Sequence, residues 1–416
     1  MKATLLIKNI GELSTALGNK AQAGADMGRL LVVPKATIAV DIEHIVWAGP
    51  SNKLPRIDGP APEIIDAGGK AVIPGFVDSH THFVFHGYRD DEFFWRAAGA
   101  TYMDIHARGG GIANTVKATR EASLEQLLSS ATPRLERMLE LGVTTVEGKS
   151  GYGLDLDTEL RQLETMHILD KRLPVDIIPT YMGPHSVPAE FKNDPSAYID
   201  FILHDVLPVV AKNNLASFCD IFCEKGVFEL DDSRRFLKAA KAAGFKLKLH
   251  ADEIVALGGA GLAAEVGAVS ADHLLKASPA DLDSMARAGV VATCLPITAF
   301  TLKEAYANAR MMIDHGLAVA IASDFNPGSC YSHAIPLAMA LGVLYMNMSM
   351  EEVLTAMTLN GAAALGLSSD RGTIEKGKLA DILILDAPSY KHLAYHVGMN
   401  LVDTVIKRGK TVSIRE

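Results

Sequence analysis

Short β-like segments alternate with helical stretches between about residues 72 and 365, and this alternation constrains the fold more than any other feature of the sequence. Eight such segments are present: VIPGFVDSHTHF, VTTVEGKS, VDIIPTYMG, CDIFCE, KLKLHADE, AVSADHL, VVATCLP and AVAIASDF. Strands that are separated by helices pair in parallel, so eight β-then-α units predict an α/β fold with a (β/α)8 TIM barrel.

The stretches between these segments carry the signals of helix ends. Ser278, followed by proline, and Gly289 predict the start and the end of one helix. Ser349 and Glu352 have the spacing of a capping box at the start of another helix. Pro133 lies inside the helical stretch of residues 124–141 and predicts a kink or a break there.

Both ends of the chain have a different pattern. Residues 1–70 and the last 40 residues contain short runs rich in Ile and Val and bounded by Gly, Pro and Asn, which is typical of strands. Because these runs need a partner for their apolar faces, both termini are predicted to form one small β-sandwich beside the barrel. The expected division is 1–70 for the first part of the β-sandwich, 71–366 for the barrel and 367–416 for the second part.

Charge and cysteine content argue against several classes of protein. The chain carries 40 Lys and Arg against 49 Asp and Glu, a net charge of −9, and it lacks basic runs, so we expect no binding to nucleic acid or membranes. Four scattered cysteines do not make a disulfide framework, and the N-terminus lacks the apolar stretch of a signal peptide. No run approaches the roughly 18 apolar residues of a membrane span. We therefore expect a soluble, cytoplasmic protein.

Histidine and aspartate residues occur where four of the predicted barrel strands end. His80 and His82 are two apart at the end of the first segment, so their side chains point to the same face. His250 ends the fifth segment, His273 the sixth and Asp324 the eighth. The carboxyl ends of barrel strands form one rim and carry the chemistry. An isolated His-x-His pair is a weak signal, but polar groups that converge from four strand ends are costly to bury unless they share a partner.

This convergence predicts one metal ion per subunit, bound by His80, His82, His250 and Asp324. Three imidazoles and one carboxylate suit Zn²⁺ or Fe, and a position left for water makes such a site catalytic. The ion would activate water near neutral pH, and Asp324 could take up the proton. Glu224 on the fourth segment could bridge a second metal, but one metal is the favoured interpretation.

Longer motifs around these residues resemble a known family. PGFVDSHTH, LKLHADE, SADH and ASDFNPGS, in this order, resemble the amidohydrolase superfamily, and GTIEKGKLADILILD is similar to the segment by which its members re-enter their β-sandwich. HFVFHGYRDDEF, GGGIANTVKATR, EGKSGYGL, YMGPHSVP and HADEI resemble the imidazolonepropionase family within it. These motifs run through most of the barrel, and their combination is far more specific than any one of them.

The resemblance implies hydrolysis of the cyclic amide C–N bond of 4-imidazolone-5-propanoate to N-formimidoyl-L-glutamate in histidine degradation, and it also implies a homodimer. The substrate-binding residues on the matching motifs are Arg89, Tyr152, His185, Glu253, Asn326, Gly328 and Ser329. The implied catalytic residues are Asp324, His273, Glu253 and His185. In this interpretation His185 donates to the oxyanion or to the substrate ring, and the identity of the proton shuttle stays open among the other three.

On the residues alone, two of these positions fit more than one interpretation. A guanidinium pairs with a carboxylate through two hydrogen bonds, so Arg89 suits a propionate group, but it could also be solvated beside Asp90 and Asp91. Tyr152, in the Gly-rich KSGYGL loop, could bind substrate through its hydroxyl or pack on the barrel rim. The resemblance favours substrate binding for both.

Two other functions compete with this one. Another amidohydrolase, such as a nucleobase deaminase or a cyclic amidase, shares the ligand set of three His and one Asp, but a neutral base has no need of Arg89. A non-catalytic binding protein built on a degenerate barrel would lack metal ligands, whereas all four are present here.

Overall fold

The computed structural model describes residues 1–100, 104, 108 and 110–414. Gly109, the first residue of the GGGIANTVKATR motif, and the last two residues of the predicted 367–416 segment lie outside the described residues. The strands, in chain order, are β1 (Leu5–Thr15), β2 (Leu31–Asp41), β3 (His44–Pro50), β4 (Glu63–Asp66), β5 (Ala71–Pro74), β6 (Phe76–Asp78), β7 (Val143–Lys149), β8 (Asp176–Tyr181), β9 (Phe218–Cys219), β10 (Phe222–Cys223), β11 (Lys246–Ala251), β12 (Ser270–His273), β13 (Val291–Cys294), β14 (Val319–Ile321), β15 (Ile382–Leu385), β16 (Val402–Lys407) and β17 (Lys410–Ile414).

Helices fill most of the connections between the strands. The α-helices of the described residues are α1 (Asp90–Ala97), α2 (Ile112–Glu121), α3 (Leu124–Glu140), α4 (Leu156–Arg172), α5 (Pro195–Phe201), α6 (Leu207–Lys212), α7 (Leu230–Ala242), α8 (Gly259–Val266), α9 (Pro279–Ala288), α10 (Pro296–Leu302), α11 (Ala309–Asp314), α12 (Ile335–Leu344), α13 (Met350–Met357), α14 (Leu359–Ala364) and α15 (His392–Tyr395). None of the helices in this part of the chain is long and apolar enough to cross a bilayer.

Parallel strands form the predicted barrel. The pairing runs β6-β7-β8-β9-β11-β12-β13-β14, and β10 pairs with β11. Just beyond the first and last strands, Thr81 and Phe325 form a parallel bridge, and the N–H of His82 donates to the carbonyl of Phe325 at 2.8 Å. Each predicted segment contains one of these strands, so the (β/α)8 barrel is confirmed, with the fourth segment divided between β9 and β10.

The other strands build one sheet from both ends of the chain, as predicted. Their order is β17-β16-β15-β5-β1-β2-β3, and β4 pairs with β1. β15 pairs antiparallel with β5 and thereby joins the C-terminal strands to the N-terminal ones. Ile7, Ile38 and Ile382 belong to a hydrophobic core of this sheet that is distinct from the core of the barrel. Since β5 lies at residues 71–74, the sheet extends just past the expected boundary at residue 70, and the division of the chain into domains stays a prediction.

The predicted helix signals are realised at two helices. The side chain of Ser278 accepts from the N–H of Asp281 at the start of α9, and the helix ends at Gly289. Ser349 and Glu352 form a complete capping box at the start of α13. Both helices therefore begin where their side chains satisfy otherwise unpaired N–H groups.

The predicted break at Pro133 does not occur. Helix α3 continues from Leu124 to Glu140 with Pro133 inside it. The helix buries Leu127, Leu135 and other apolar residues along one face, and this packing outweighs the backbone hydrogen bond that the proline removes.

Candidate active site

The carboxyl ends of the barrel strands surround a cavity of about 830 Å³. The predicted site residues that line it are His82, Arg89, Tyr152, His185, His250, Glu253, His273, Asp324, Asn326, Gly328 and Ser329. His80 is fully buried next to this cavity, and its ring centroid lies 5.3 Å from that of His82 and 4.5 Å from that of His250. The fold therefore brings the predicted catalytic, substrate-binding and metal-binding residues to one place.

Three of the four predicted metal ligands form one tight group, and the fourth, His250, contacts two of them. A ring nitrogen of His80, a ring nitrogen of His82 and a carboxylate oxygen of Asp324 all lie within 4.8 Å of one another. Oδ1 of Asp324 is 3.5 Å from Nε2 of His80 and 3.8 Å from Nε2 of His82. Nε2 of His250 is 3.4 Å from Nε2 of His82. His185 and His273 each form an equally tight group with two of these histidines, so the rim offers further imidazoles to the same volume.

Two carboxylates determine which ring nitrogen faces the cluster. Nδ1 of His80 lies 2.7 Å from Oδ2 of Asp272, and Nδ1 of His250 lies 3.1 Å from Oδ1 of Asp220. Because a carboxylate accepts there, Nδ1 of each imidazole carries the proton and Nε2 keeps its lone pair. Nε2 of His80 is buried and has no hydrogen-bond partner among the described residues. A cation would satisfy this lone pair, so the residues present fit a metal ion.

Burial keeps the histidines neutral. It is the largest cause that lowers the pKa of His80, His82 and His250 well below the usual value, and the charge of Lys149 acts in the same direction. Burial also lowers the pKa of His273 to about 4. Since a neutral imidazole is the form that binds a metal, the cluster is in the protonation state that a ligand set requires.

Asp324 is held in an unusual backbone conformation at the rim. Its φ is 52° and that of His273 is 74°, in the left-handed region that residues other than glycine rarely adopt. The hydroxyl of Thr298 donates to Oδ2 of Asp324 at 2.6 Å. Burial raises the pKa of Asp324 to about 7. Strain of this kind concentrates at functional sites, in agreement with the chemical role predicted for both residues.

A buried ionic cluster packs against these histidines. Nζ of Lys149 lies 2.6 Å from Asp220, 3.0 Å from Glu147 and 3.5 Å from Asp272. Nζ of Lys248 lies 2.9 Å from Glu147, and all five side chains are fully buried. Burial disfavours the ammonium of Lys149, but the carboxylates of Asp220, Glu147 and Asp272 outweigh it and raise the pKa of this lysine. The cluster therefore holds charged groups directly beside the carboxylates that contact His80 and His250.

Arg89 faces the cavity in a fixed orientation. Its Nε and Nη2 donate to Oε2 of Glu92 at 2.9 and 2.7 Å, and Oε1 of this buried glutamate accepts the N–H of Gly111 at 3.0 Å. The Arg89 side chain is 13% exposed, which argues against a solvated surface position. A Cβ at Gly328 would lie 2.2 Å from Nη1 of Arg89, so only glycine leaves room for this guanidinium. Arg96 lies beside it and donates to the carbonyl of Gly328 at 3.2 Å.

Tyr152 and His185 pack around the ring of His82. The centroid distances from His82 are 5.9 Å to Tyr152 and 4.9 Å to His185. The carbonyl of Gly151 lies 3.0 Å from Nδ1 of His185 and can only accept, so Nδ1 carries the proton. Burial lowers the pKa of His185 to about 4. Neutral His185 therefore presents the lone pair of Nε2 to the cavity, not a donor.

Glu253 forms part of the cavity wall next to His273. Its Oε1 is 3.5 Å from Nδ1 of His273, and burial together with the charge of Asp324 raises the pKa of Glu253 to about 8. Glu224 anchors the loop that carries it, because its carboxylate accepts the N–H of Ile254 at 2.8 Å and that of the next residue at 3.3 Å. Glu224 thus holds a loop in place, which supports the one-metal interpretation.

Asn326 organises the loop that follows Asp324. Its Oδ1 accepts the N–H groups of Gly328 and Ser329, each at 2.8 Å. Its Nδ2 donates to the carbonyl of Asp324 at 2.8 Å and to Oγ of Ser329 at 2.9 Å. The backbone N–H groups of Gly328 and Ser329, two residues predicted to bind substrate, therefore donate to Asn326 in this structure.

Comparison with known proteins agrees with this geometry. The sequence profile described as Amidohydrolase family matches residues 63–115 and 108–413. The imidazolonepropionase of Clostridium tetani is 53% identical over 412 residues, which cover 99% of this chain and 98% of that protein. The chain belongs to the imidazolonepropionase family. The imidazolonepropionase of Parabacteroides distasonis is 53% identical with 98% of each chain covered, and that of Porphyromonas gingivalis is 50% identical with 98% of this chain and 97% of the relative covered.

Solved structures outside the imidazolonepropionase family share the same architecture. A 5-methylcytosine deaminase from Klebsiella pneumoniae liganded with 5-fluorocytosine has a TM-score of 0.73 at 18% identity, with 99% of this chain and 98% of that chain covered. An adenosine deaminase from Xanthomonas campestris with bound zinc has a TM-score of 0.70 at 18% identity, with 99% and 93% covered. At this identity the likeness shows the fold alone.

Several residues that shape this imidazolonepropionase-family site were not identified from the sequence. They are Glu92, Lys149, Asp220, Lys248, Asp272 and Thr298. The alternation of strand side chains was the available signal for some of them. Glu147 and Lys149 are two apart on β7, and Lys248 and His250 are two apart on β11, so each pair points to the same face.

Proposed function

We propose that this chain is a metal-dependent hydrolase that opens the ring of 4-imidazolone-5-propanoate at its amide C–N bond and forms N-formimidoyl-L-glutamate. One observation carries the proposal: the cluster of His80, His82, His250 and Asp324 and the guanidinium of Arg89 face the same cavity. The first group suits hydrolysis of an amide and the second suits a substrate that bears a carboxylate. Full-length relatives named imidazolonepropionase support the assignment.

His80, His82, His250 and Asp324 would hold one Zn²⁺ or Fe ion per subunit. The support lies in the unpartnered Nε2 of His80 and in the carboxylates that fix the tautomers of His80 and His250. When bound, such an ion supplies ionised water near neutral pH and polarises a carbonyl. The protein has to supply the remaining functions, which are substrate orientation and proton transfer.

Arg89 is proposed to bind the propionate carboxylate. Glu92 occupies Nε and one N–H of Nη2, which leaves Nη1 directed toward Gly328 and the cavity. A guanidinium that is fixed in this way loses little further freedom on binding a carboxylate. Arg96 adds a second positive charge at the same wall, where burial and the charge of Arg89 already lower the pKa of Arg96. An anion between the two arginines would relieve their mutual repulsion.

His185 and Tyr152 are proposed to orient the substrate ring. Because Nδ1 of His185 donates to the carbonyl of Gly151, Nε2 accepts a hydrogen bond from a ring N–H. This assignment differs from that of an oxyanion donor, which would require a doubly protonated imidazole although burial lowers the pKa of His185 to about 4. The hydroxyl of the buried Tyr152 can donate to a ring substituent from the adjacent wall.

Two carboxyl groups are proposed to move the protons. Asp324 lies in the ligand cluster, within reach of a water held there, and is proposed to take a proton from the attacking water. The pKa of Glu253 is raised to about 8, so this group keeps its proton at neutral pH and can give it to the departing ring nitrogen. His273, 3.5 Å from Glu253, can relay a proton between the two. The oxygen of water thus joins the carbonyl carbon as the C–N bond breaks.

The direct test supplies the product of urocanase to the purified protein and follows the loss of imidazolone absorbance. Asp324→Asn keeps the size of the side chain and tolerates the left-handed backbone, and turnover should fall by about 10² to 10⁴-fold while the fold is retained. Near-normal turnover of that variant would contradict the assignment of Asp324. Release of ammonia from nucleobases, without consumption of imidazolone, would favour a deaminase and reject the proposal.

A cytoplasmic location and a homodimer are part of the proposal. All four cysteines are unpaired and buried, which suits a reducing compartment. Cell fractionation would test the location, and sedimentation equilibrium of the purified protein would test the assembly.

A further inference from the structure

Two metal ligands share one buried cation through their carboxylate partners. Asp220 is 3.1 Å from Nδ1 of His250, and Asp272 is 2.7 Å from Nδ1 of His80. Lys149 lies between these carboxylates, with Nζ at 2.6 Å from Asp220 and 3.5 Å from Asp272. Its ammonium therefore contacts three carboxylates, because Glu147 lies 3.0 Å from the same Nζ atom.

Further hydrogen bonds hold Lys149 and Asp272 in place. Lys149 also donates to Glu147 at 3.0 Å, and Asp272 accepts a hydrogen bond from the hydroxyl of Ser270 at 2.8 Å. The side chain of Lys149 is fully buried, so water cannot replace the ammonium if it is removed. Without the ammonium of Lys149, Asp220 would lose the cation at 2.6 Å and Asp272 would keep only Lys248, at 3.7 Å. The two buried carboxylates would then repel each other, and they would have to move apart or become protonated.

We propose that Lys149 is a positioning residue for the metal centre: by joining Asp220 and Asp272, it holds the rings of His250 and His80 with Nε2 directed at the ion. The inference rests on the proposed metal-dependent function. In zinc sites generally, a carboxylate behind a ligating histidine fixes its tautomer and orientation, and its loss weakens metal binding. In this chain one lysine serves two such carboxylates, so it couples His80, which follows β6, with His250 on β11.

The matched control is a second buried lysine away from the site. Nζ of Lys407, on β16, lies 2.7 Å from Asp381 and 2.9 Å from Asp176, and the side chain is 4% exposed. Lys149→Met and Lys407→Met each remove one buried ammonium from between carboxylates. Both variants should lower the melting temperature of zinc-free protein, but only Lys149→Met should change the metal site.

The experiment measures zinc affinity by competition with a chromophoric chelator. Zinc affinity should fall by about 10- to 100-fold in Lys149→Met and stay within about twofold of wild type in Lys407→Met. As a second measurement, the visible absorption of the Co²⁺-substituted protein should shift in Lys149→Met alone, because the ligands change orientation. Equal zinc affinity and equal Co²⁺ spectra for all three proteins would overturn the inference. If wild-type protein itself bound no metal, the proposed function would fail instead.

A double variant keeps the test decisive if Lys149→Met does not fold. Lys149→Met combined with Asp220→Asn removes one positive and one negative buried charge together, which relieves the unpaired carboxylate. Under the positioning role, this variant still binds zinc at least about 10-fold more weakly than wild type, because His250 has lost its charged partner. Wild-type zinc affinity of the double variant would show that Lys149 serves only to balance charge in the folded barrel.

Discussion

Gly328→Ala is the substitution that most directly tests how the substrate carboxylate is bound. The added Cβ would lie 2.2 Å from Nη1 and 2.9 Å from Cζ of Arg89. The backbone of Gly328 is outside the left-handed region, so alanine is compatible with its conformation. The clash is confined to the guanidinium of Arg89, which Glu92 holds from the other side, and the expected response is a shift of this group by about 1 Å with the barrel fold retained.

The magnitude follows from the interaction that is lost. A hydrogen bond to a charged group contributes about 1.5 to 3 kcal/mol, and each 1.4 kcal/mol corresponds to a factor of ten. Displacing Arg89 from the propionate should therefore raise KM by about 10- to 100-fold. Because the carboxylate is remote from the scissile bond and is bound alike in the ground and transition states, kcat should change much less than KM.

Steady-state kinetics with 4-imidazolone-5-propanoate and thermal melting together provide the assay. Gly28→Ala is the matched control, since a Cβ at Gly28 meets no atom within 4 Å and its backbone is also outside the left-handed region. A truncated imidazolone without the propionate provides a second control, because Gly328→Ala should leave its kcat/KM unchanged. A KM for the full substrate within about twofold of wild type would refute the role of Arg89.

Three further predictions concern proton transfer, loop anchoring and metal dependence. Glu253→Gln should lower kcat by about 10² to 10⁴-fold. In the wild-type protein, kcat/KM should decline above pH about 8, because the raised pKa lets Glu253 keep its proton below that pH and lose it above. A wild-type profile that stays flat through pH 9 would argue against Glu253 as the acid. Glu224→Gln removes one acceptor from the loop that contains Ile254. It should lower kcat less than Glu253→Gln does and leave the metal content unchanged. Loss of metal from the Glu224→Gln variant would instead indicate that Glu224 is a bridging ligand. Dialysis against a metal chelator should abolish turnover and lower the melting temperature, and added Zn²⁺ or Fe²⁺ should restore both. Full activity after complete metal removal would exclude a metal-dependent reaction.

The barrel and the ligand cluster could be predicted because their signals are local and repeated. Alternating segments predict parallel strands, and parallel strands place His80, His250 and Asp324 at one rim whatever the details of the loops. The resemblance to known motifs then added Arg89 and Tyr152, which the residues alone left open. These positions depend on the register of a strand or on a short motif, and both can be read from the chain.

The hydrogen-bond partners could not be predicted in the same way. Asp220 and Asp272 are two of many acidic residues, and strand alternation indicates which face they point to but not which histidine they contact. The tautomer of His185 depends on its contact with the carbonyl of Gly151. The position of this carbonyl depends on the loop backbone, in which Gly151 has a φ of 102°. The uninterrupted helix through Pro133 likewise depends on packing that no local pattern contains.

The closure of the barrel links the first and last strands to the chemistry at the rim. The N–H of Asp324 donates to the carbonyl of His80 at 3.0 Å, and the N–H of His82 donates to the carbonyl of Phe325 at 2.8 Å. The first bond is donated by the last segment and the second by the first segment. Together they close the barrel and fix the register of His80 and His82 against Asp324. If one of these segments slipped by one residue along the other, its own side chains would turn away from the cluster, because successive residues of a strand face opposite sides. The proposed metal site therefore depends on barrel closure, and a variant that opens this seam should lose zinc affinity at a lower denaturant concentration than the one that unfolds the remaining barrel strands.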